Sequence, residues 1–412
     1  MNRSPVLEGE LDVTRTEAYS DRVNFWSRVR REAPVGFAPN FNAWIVSSRD
    51  AVTEVVRDTT RFGKQAARPP MVKLIPEAQA IYDQLRQEYV VTLESNPPAH
   101  TPYRQKVMPA LAAPKMETRR PIIEQLAHDL IDEFEDDGQA DLMDRFAFPL
   151  PAIHGFDLIG VPAADLQYVR RISLASIAIQ FMLPAPEEQV QLAADTVAYW
   201  RYLNELVDDH RKGRSNDLIN DLVETIGAER AAETSTPEIA SMLWGIVRGA
   251  HHTTTHLIGN ALHCLLTRPE LWQRIVADPT LARAAIDESL RRNTPAPGHF
   301  YMALTDTELE GVQIPAGDIV YPVYDSVNQE ISSNPEEFDI DRPNNRQNFA
   351  FGAGPHLCPA KTLGRVSGAA AVEVYVRRLP HTRLGDPTPH WVPVFTQQGL
   401  SRLEVEWDRP VR

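Results

Sequence analysis

Cys358 stands in the stretch FAFGAGPHLCPAKTLGR, residues 349–365, and is one of only two cysteines in the chain. Gly352 and Gly354 permit positive φ and a close backbone approach, and Pro355 stiffens the turn ahead of the thiol. Pro359 suits the first position of the Ala- and Val-rich helix that follows. A thiol at a helix N-terminus meets partial positive charge, and nearby N–H groups can bond its sulfur, so the thiolate is favoured. Three readings follow. The residue is a buried cysteine at a helix start, as many are; or a nucleophile, which needs a base and an oxyanion hole; or a thiolate ligand to a metal. One cysteine with no CxxC cannot build a zinc site, whereas one thiolate suits the fifth ligand of a haem iron. The loop alone leaves the choice open.

Three other segments place reactive types at helical spacing. In DESLRR, Glu288 and Arg291 are three apart and share a face, which by itself describes an ordinary surface pair. In NPPAHTPYRQKV, His100 and Arg104 are four apart, by themselves a solvated basic face. In GIVRGAHHTTTHLIGNAL, Gly245 and Gly249 weaken a helix, and Thr253, Thr254 and Thr255 are poor helix formers in a row. Threonine hydroxyls also bond back to the i−4 carbonyl and bend the axis, so a kinked core helix is one reading. Gly245, Arg248, Gly249 and His252 fall along one stripe, and a buried arginine there needs acceptors.

The elements that must position these residues are mostly helices. DRVNFWSRVRREAP has helical spacing and is followed by two short strand-like runs, VGFAP and AWIVSS. METRRPIIEQLAHDLIDEFEDDG carries Ile122, Ile123, Leu126, Leu130, Ile131 and Phe134 on one face and ends at Gly138. EQVQLAADTVAYWRYLNELVDDHRKG reads the same way. PEIASMLWGIVRGAHHTTTHLIGNALHCLLTRPE is apolar on most sides and predicts a buried central helix. After Pro295 the pattern turns to short strands, with a Pro-Ala-Gly turn at 315–317 and a C-terminal hairpin within HWVPVFTQQGLSRLEVEW. The whole reads as mainly α with a minor β-sheet region.

Composition narrows the classes. With 412 residues, 43% of them hydrophobic, a large core is affordable. The formal net charge of −14 argues against a nucleic-acid partner. No window approaches 18 uninterrupted apolar residues, and the first residues hold no signal-like apolar run, so no membrane span and a cytoplasmic location are expected. Two cysteines in unrelated contexts fit a reducing interior. No repeat, low-complexity tract or linker divides the chain.

FGAGPHLCPA resembles the haem-ligand loop of the cytochrome P-450 superfamily, Phe-Gly-x-Gly-x-His-x-Cys-x-Gly/Ala. Phe351, Gly352, Gly354, His356, Cys358 and Ala360 occupy every fixed position. The other segments lie in the order that family requires, so the resemblance covers nearly the whole chain. It implies a single α-rich domain over 1–412, with one non-covalent haem b between a long central helix and the helix after the cysteine loop. It implies Cys358 as the iron's axial ligand, with Phe351, Gly352 and Ala250 lining the haem. His100, Arg104 and His356 become propionate partners, and Glu288, Arg291 and Arg342 a buried structural lock. Thr253 takes the place of the threonine that hydrogen-bonds dioxygen. Arg248 then reaches a substrate cavity, or pairs with a carboxylate on a neighbouring loop.

Two positions depart from the family pattern. His252 stands where an acid usually relays protons; imidazole titrates near neutrality and can shuttle them. His299, Phe300 and Tyr301 stand where relatives present a propionate arginine, with Tyr301 aligned to it. The resemblance implies an oxidoreductase that activates O₂ with two electrons from NAD(P)H. A ferredoxin and its reductase would deliver them, docking near Lys115, Arg119, Arg120, Lys361 and Arg365. Hydroxylation or epoxidation of a small metabolite is expected. Oxidative carbon–carbon or carbon–nitrogen coupling is the alternative, and a non-catalytic haem protein a remoter one. The substrate segments are 62–85, 180–189, 295–301 and 394–400, with Gly245, Arg248, His299 and Phe395 as contacts. Their mix of apolar, Gln and His residues points to a polar aromatic or amide-bearing compound of secondary metabolism.

Overall fold

The computed structural model describes residues 5–64, 73–182, 184–212, 218–220, 222 and 234–408. Their packing forms two compact units, one of residues 1–63, 116–151 and 252–412 and the other of 64–115 and 152–251.

The first unit holds the sheet. Strands β1 (Val35–Ala38), β2 (Ala43–Val46), β3 (Phe62–Gly63), β4 (Tyr301–Ala303) and β5 (Ile319–Pro322) lie in the order β1-β2-β5-β4-β3. Only the β2–β5 pair is parallel. Helix α1 (Arg22–Glu32) buries Phe25, Trp26 and Val29 with Ile45 and Tyr321. Helix α2 (Arg49–Arg57) starts where the Ser48 hydroxyl accepts the Ala51 N–H, a side-chain cap for an otherwise orphaned donor. It buries Val52, Val55 and Val56 beside the strands.

The second unit is helical. It contains α3 (Pro76–Glu88), α4 (His100–Ala110), α7 (Leu166–Phe181) and α8 (Pro186–His210), with α8 packed on α7 and α3. Glu188 accepts the Ala185 N–H at 2.9 Å and Pro186 opens α8, two signals that fix its start. Tyr89, Tyr199, Trp200 and Trp244 form an aromatic cluster, with ring centroids 4.9–6.3 Å apart.

Between α4 and α7 the chain forms α5 (Arg120–Asp132) and α6 (Pro149–Leu158). Helix α9 (Thr236–Leu266) is 31 residues long and runs from the second unit into the first. The first unit also holds helices α10 (Ala282–Arg292), α11 (Tyr324–Gln329) and α12 (Lys361–Arg378), with α12 packed on α5 and α10.

Three expectations change in detail. The stretch from Met116 breaks before Arg120 because Pro121 suits only a first turn, so α5 is a new helix. Helix α12 begins at Lys361, so Pro359 lies before it and not at its first position. The C-terminal strands divide: 400–402 pairs with 390–391, while 404–406 joins a separate sheet with 139–141 and 383–384. Their shared alternation could not show which partners they take.

Candidate active site

The cysteine loop is shaped before the thiol is reached. Gly352 and Gly354 have φ of +69° and +68°. A Cβ on Gly354 would lie 2.3 Å from the Val56 carbonyl oxygen, so only glycine fits there. The Gly352 N–H donates to Phe349 O at 2.7 Å and the Cys358 N–H to Phe351 O at 2.9 Å, closing the loop on itself. Arg365 lies 4.6 Å from the centre of the Phe351 ring and donates to Asp287 at 2.7 Å, tying α12 to α10 beside the loop. Cys358 is half-buried and in no disulfide, and His356 is likewise half-buried. Cys264 differs. It is fully buried, its thiol donates to Asn293 Oδ1 at 3.4 Å, and burial pushes its pKa up.

Behind the loop, Glu288 is fully buried and accepts from Arg291 at 2.7 and 2.9 Å and from Arg342 at 3.3 Å. Arg291 also donates to the carbonyls of Pro335 and Glu337. The triad expected from DESLRR and Arg342 is therefore present, with one carboxylate between two guanidinium groups.

Tyr301 is buried at the start of β4, and its hydroxyl hydrogen-bonds that of Tyr324, which itself sits beside Gly352. Burial pushes Tyr301 up to about 12, so it stays a phenol. The His299 ring meets Tyr324 edge-on at 5.8 Å.

In the second unit, His100 is the first residue of α4 and Arg104 lies one turn on. Burial, reinforced by the positive charges of Arg104 and Lys64, lowers the His100 pKa to about 4. Burial disfavours a charge of either sign there, so what favours an anion is the pair of cations, Arg104 and Lys64.

Along α9, the threonine run stays helical. A Cβ on Gly245 or on Gly249 would meet nothing within 4 Å, and Gly249 is exposed in the middle of an otherwise buried helix. Nearly three turns after Gly249 the packing is tight, for a Cβ on Gly259 would lie 2.4 Å from Met143 Sδ. The helix thus has room beside Gly245, Gly249 and the half-buried Ala250 and Thr253.

Arg248 has acceptors within the protein. Glu94 accepts from it at 2.8 Å and Gln180 accepts from it as well, while Gln180 donates to the Tyr82 hydroxyl at 2.9 Å. Of the two readings of Arg248, the pair with a carboxylate on a neighbouring loop is the one present. The sequence analysis missed Glu94 and Gln180, which lie 154 and 68 residues away in the chain. No spacing rule reaches that far.

His252 hydrogen-bonds the Gln397 side chain, and its ring meets His256 edge-on at 4.2 Å. Although half-buried by surface, it is packed in protein on most sides, and burial lowers its pKa to about 4. It is therefore neutral at pH 7. Proton movement through it would run along hydrogen bonds rather than by titration of the ring near neutrality. Phe395 is buried against Phe41 and Tyr321.

These pKa values predict acid sensitivity. His252 and His263 are each held near 4, chiefly by burial, against 6.5 when unfolded. The unfolded chain binds more protons below pH 6.5, so stability falls as pH drops from 6.5 towards 4, by on the order of 3 kcal/mol per histidine. Urea midpoints measured from pH 7.5 to 4.5 should show this fall, and His263→Gln should flatten it. An equal slope in both proteins would contradict the assignment.

The expected basic patch is partly neutralised. Arg120 pairs with Glu124 at 2.7 Å and Glu373 at 2.5 Å, and Arg365 with Asp287, whereas Lys361 is exposed. Of the expected substrate segments, residues 65–72 and 183 lie outside the described residues.

Each unit by itself holds parts that suit a haem: in the first, a half-buried thiol on a glycine-shaped loop; in the second, the cations Arg104 and Lys64 beside His100, and a stretch of helix with room at Gly245 and Gly249. Comparison with known proteins agrees. The profile of the family Cytochrome P450 matches residues 178–379. The chain is 30% identical to cytochrome P450 monooxygenase PikC of Streptomyces venezuelae, over 98% of this chain and 95% of that protein. It is 31% identical to the mycinamicin IV hydroxylase/epoxidase of Micromonospora griseorubida, over 89% of each. Among solved structures, the Tepidiphilus thermophilus P450 heme domain superposes with a TM-score of 0.89 at 28% identity, over 97% of this chain and 96% of that one. Cytochrome P450 CREJ in complex with (4-ethylphenyl) dihydrogen phosphate gives 0.88 at 28% identity, over 96% and 98%. The chain belongs to the cytochrome P450 family and is a monooxygenase of that family. Its cofactor is haem b, with O₂ as cosubstrate and electrons from NAD(P)H through redox partners. Among the described residues, no helix is long and apolar enough to cross a membrane.

Proposed function

We propose that this monooxygenase hydroxylates or epoxidises a small polar aromatic or amide-bearing compound of secondary metabolism. The observation that carries the reading is the half-buried Cys358, in no disulfide, on a loop that only glycine at 354 permits. Cys358 would hold the iron, with Phe351, Gly352 and Ala250 against the macrocycle and His100, Arg104 and His356 on the propionates. Bound there, the haem supplies reductive O₂ activation and oxygen insertion. The Thr253 hydroxyl delivers protons beside the room at Gly249, and His252 holds its position as a neutral hydrogen-bonding ring. Gly245 and His299 shape the substrate wall, Phe395 supports it from the aromatic core of Phe41 and Tyr321, and Arg248 is braced by Glu94 and Gln180. The likeness to PikC and the mycinamicin enzyme supports a secondary metabolite as substrate.

Electrons arrive from a small acidic ferredoxin and its reductase, docking near Lys361, in the cytoplasm. Turnover with a surrogate ferredoxin system tests the reaction. A product heavier by one oxygen atom is expected. A product lighter by two hydrogens would instead establish coupling, the reading that a histidine in place of the acid keeps in view.

A further inference from the structure

Helix α9 carries a polar residue every fourth position: Arg248, His252, His256 and Asn260. The last three all meet one turn, residues 396–399. Asn260 donates to the carbonyls of Gln398 at 2.9 Å and Asn293 at 3.1 Å. Gly399 lies so close to His256 that a Cβ there would come within 1.8 Å of the ring. His252 bonds Gln397. The turn is also held by Val392 N–H on Gly399 O at 2.9 Å and Gln398 N–H on Pro295 O at 3.1 Å. It is thus fixed in place and yet polar, with Thr396, Gln397 and Gln398 all less than 8% exposed.

Thr396 Oγ1 and Gln398 Oε1 have no hydrogen-bond partner among the described residues, nor does Asn260 Oδ1. Buried acceptors without donors are costly, and most such groups in native proteins are satisfied. A rigid turn that holds them buried is suited to a ligand that brings the donors.

We propose that His252 and the turn Thr396–Gln398 form a hydrogen-bonding subsite for an uncharged, donor-bearing group of the substrate, an amide N–H or a hydroxyl, with Gln397 as the positioning residue that orients the imidazole. The subsite rests on the monooxygenase reading above in placing substrate beside α9. The Gln397 bond fixes which ring nitrogen carries the proton and leaves the other to meet the ligand. Carboxylates are excluded, because they would meet buried oxygens and a ring that is neutral at pH 7, while Arg248 is already matched by Glu94.

Optical titration of the holoenzyme tests this. The probes are imidazole, 4-phenylimidazole, and phenylimidazoles bearing a carboxamide or a carboxylate at the meta or para position. At least one carboxamide should bind about tenfold to a hundredfold tighter than its matching carboxylate. That preference should fall below about threefold in Gln397→Leu and in His252→Leu, and Gln397→Asn should retain part of it. An unchanged preference in both leucine variants, or no preference in the wild type while plain imidazole shifts the spectrum normally, overturns the subsite. If Gln397→Leu does not load haem, Thr396→Val is read in its place, and full retention of the preference there overturns the subsite equally. No spectral shift even with plain imidazole would overturn the haem-thiolate reading itself, and the subsite with it.

Discussion

Cys358→Ala should abolish the thiolate-type absorption of the reduced carbon monoxide complex and all turnover, whereas Cys264→Ala should keep both. The two thiols differ in surroundings rather than in chemistry. Cys358 is half-buried, outside any disulfide, and set three residues before α12 on a loop whose path is dictated by positive φ at Gly352 and Gly354. Cys264 lies in the wall of α9, bonded to Asn293, with its pKa raised by burial, so it stays a thiol. Its loss leaves a small cavity costing about 1 kcal/mol. Gly354→Ala should resemble Cys358→Ala in haem loading, because the added carbon collides with the Val56 carbonyl. A thiolate-type spectrum from Cys358→Ala would end the assignment.

Arg291→Leu should be the most destabilising single change in this part of the first unit, at about 3–5 kcal/mol. Arg291 and Glu288 have no exposed side-chain surface, and removing the guanidinium leaves a buried carboxylate held by Arg342 at 3.3 Å and the Asp339 N–H at 3.1 Å. The carbonyls of Pro335 and Glu337 lose a donor at the same time. Arg342→Leu should cost less, because Arg342 keeps some exposure and makes the longer bond. Urea unfolding of the three proteins ranks the effects, and a wild-type midpoint for Arg291→Leu would remove the lock from the account.

By itself, the sequence determined the glycine-shaped loop, the long central helix and the facing of Glu288 and Arg291, because each is written in local terms; that this pair is a buried lock came only from the family resemblance. Glycines at 352 and 354 are needed by backbone angles, the 31-residue helix by continuous apolar character, and Glu288 with Arg291 by a three-residue step. The aligned Arg342 joined them only through the family pattern. What tertiary structure alone decided are the partners brought from far along the chain. Arg248 finds Glu94 and Gln180, so a residue read as facing substrate is already charge-matched. Strand 404–406 leaves its expected hairpin for 139–141. Most consequentially, His252 meets Gln397, 145 positions away, and packing lowers its pKa to about 4. Residue type alone assigns imidazole a pKa near neutrality, but a titration depends on desolvation and neighbours. Those exist only once the chain has folded.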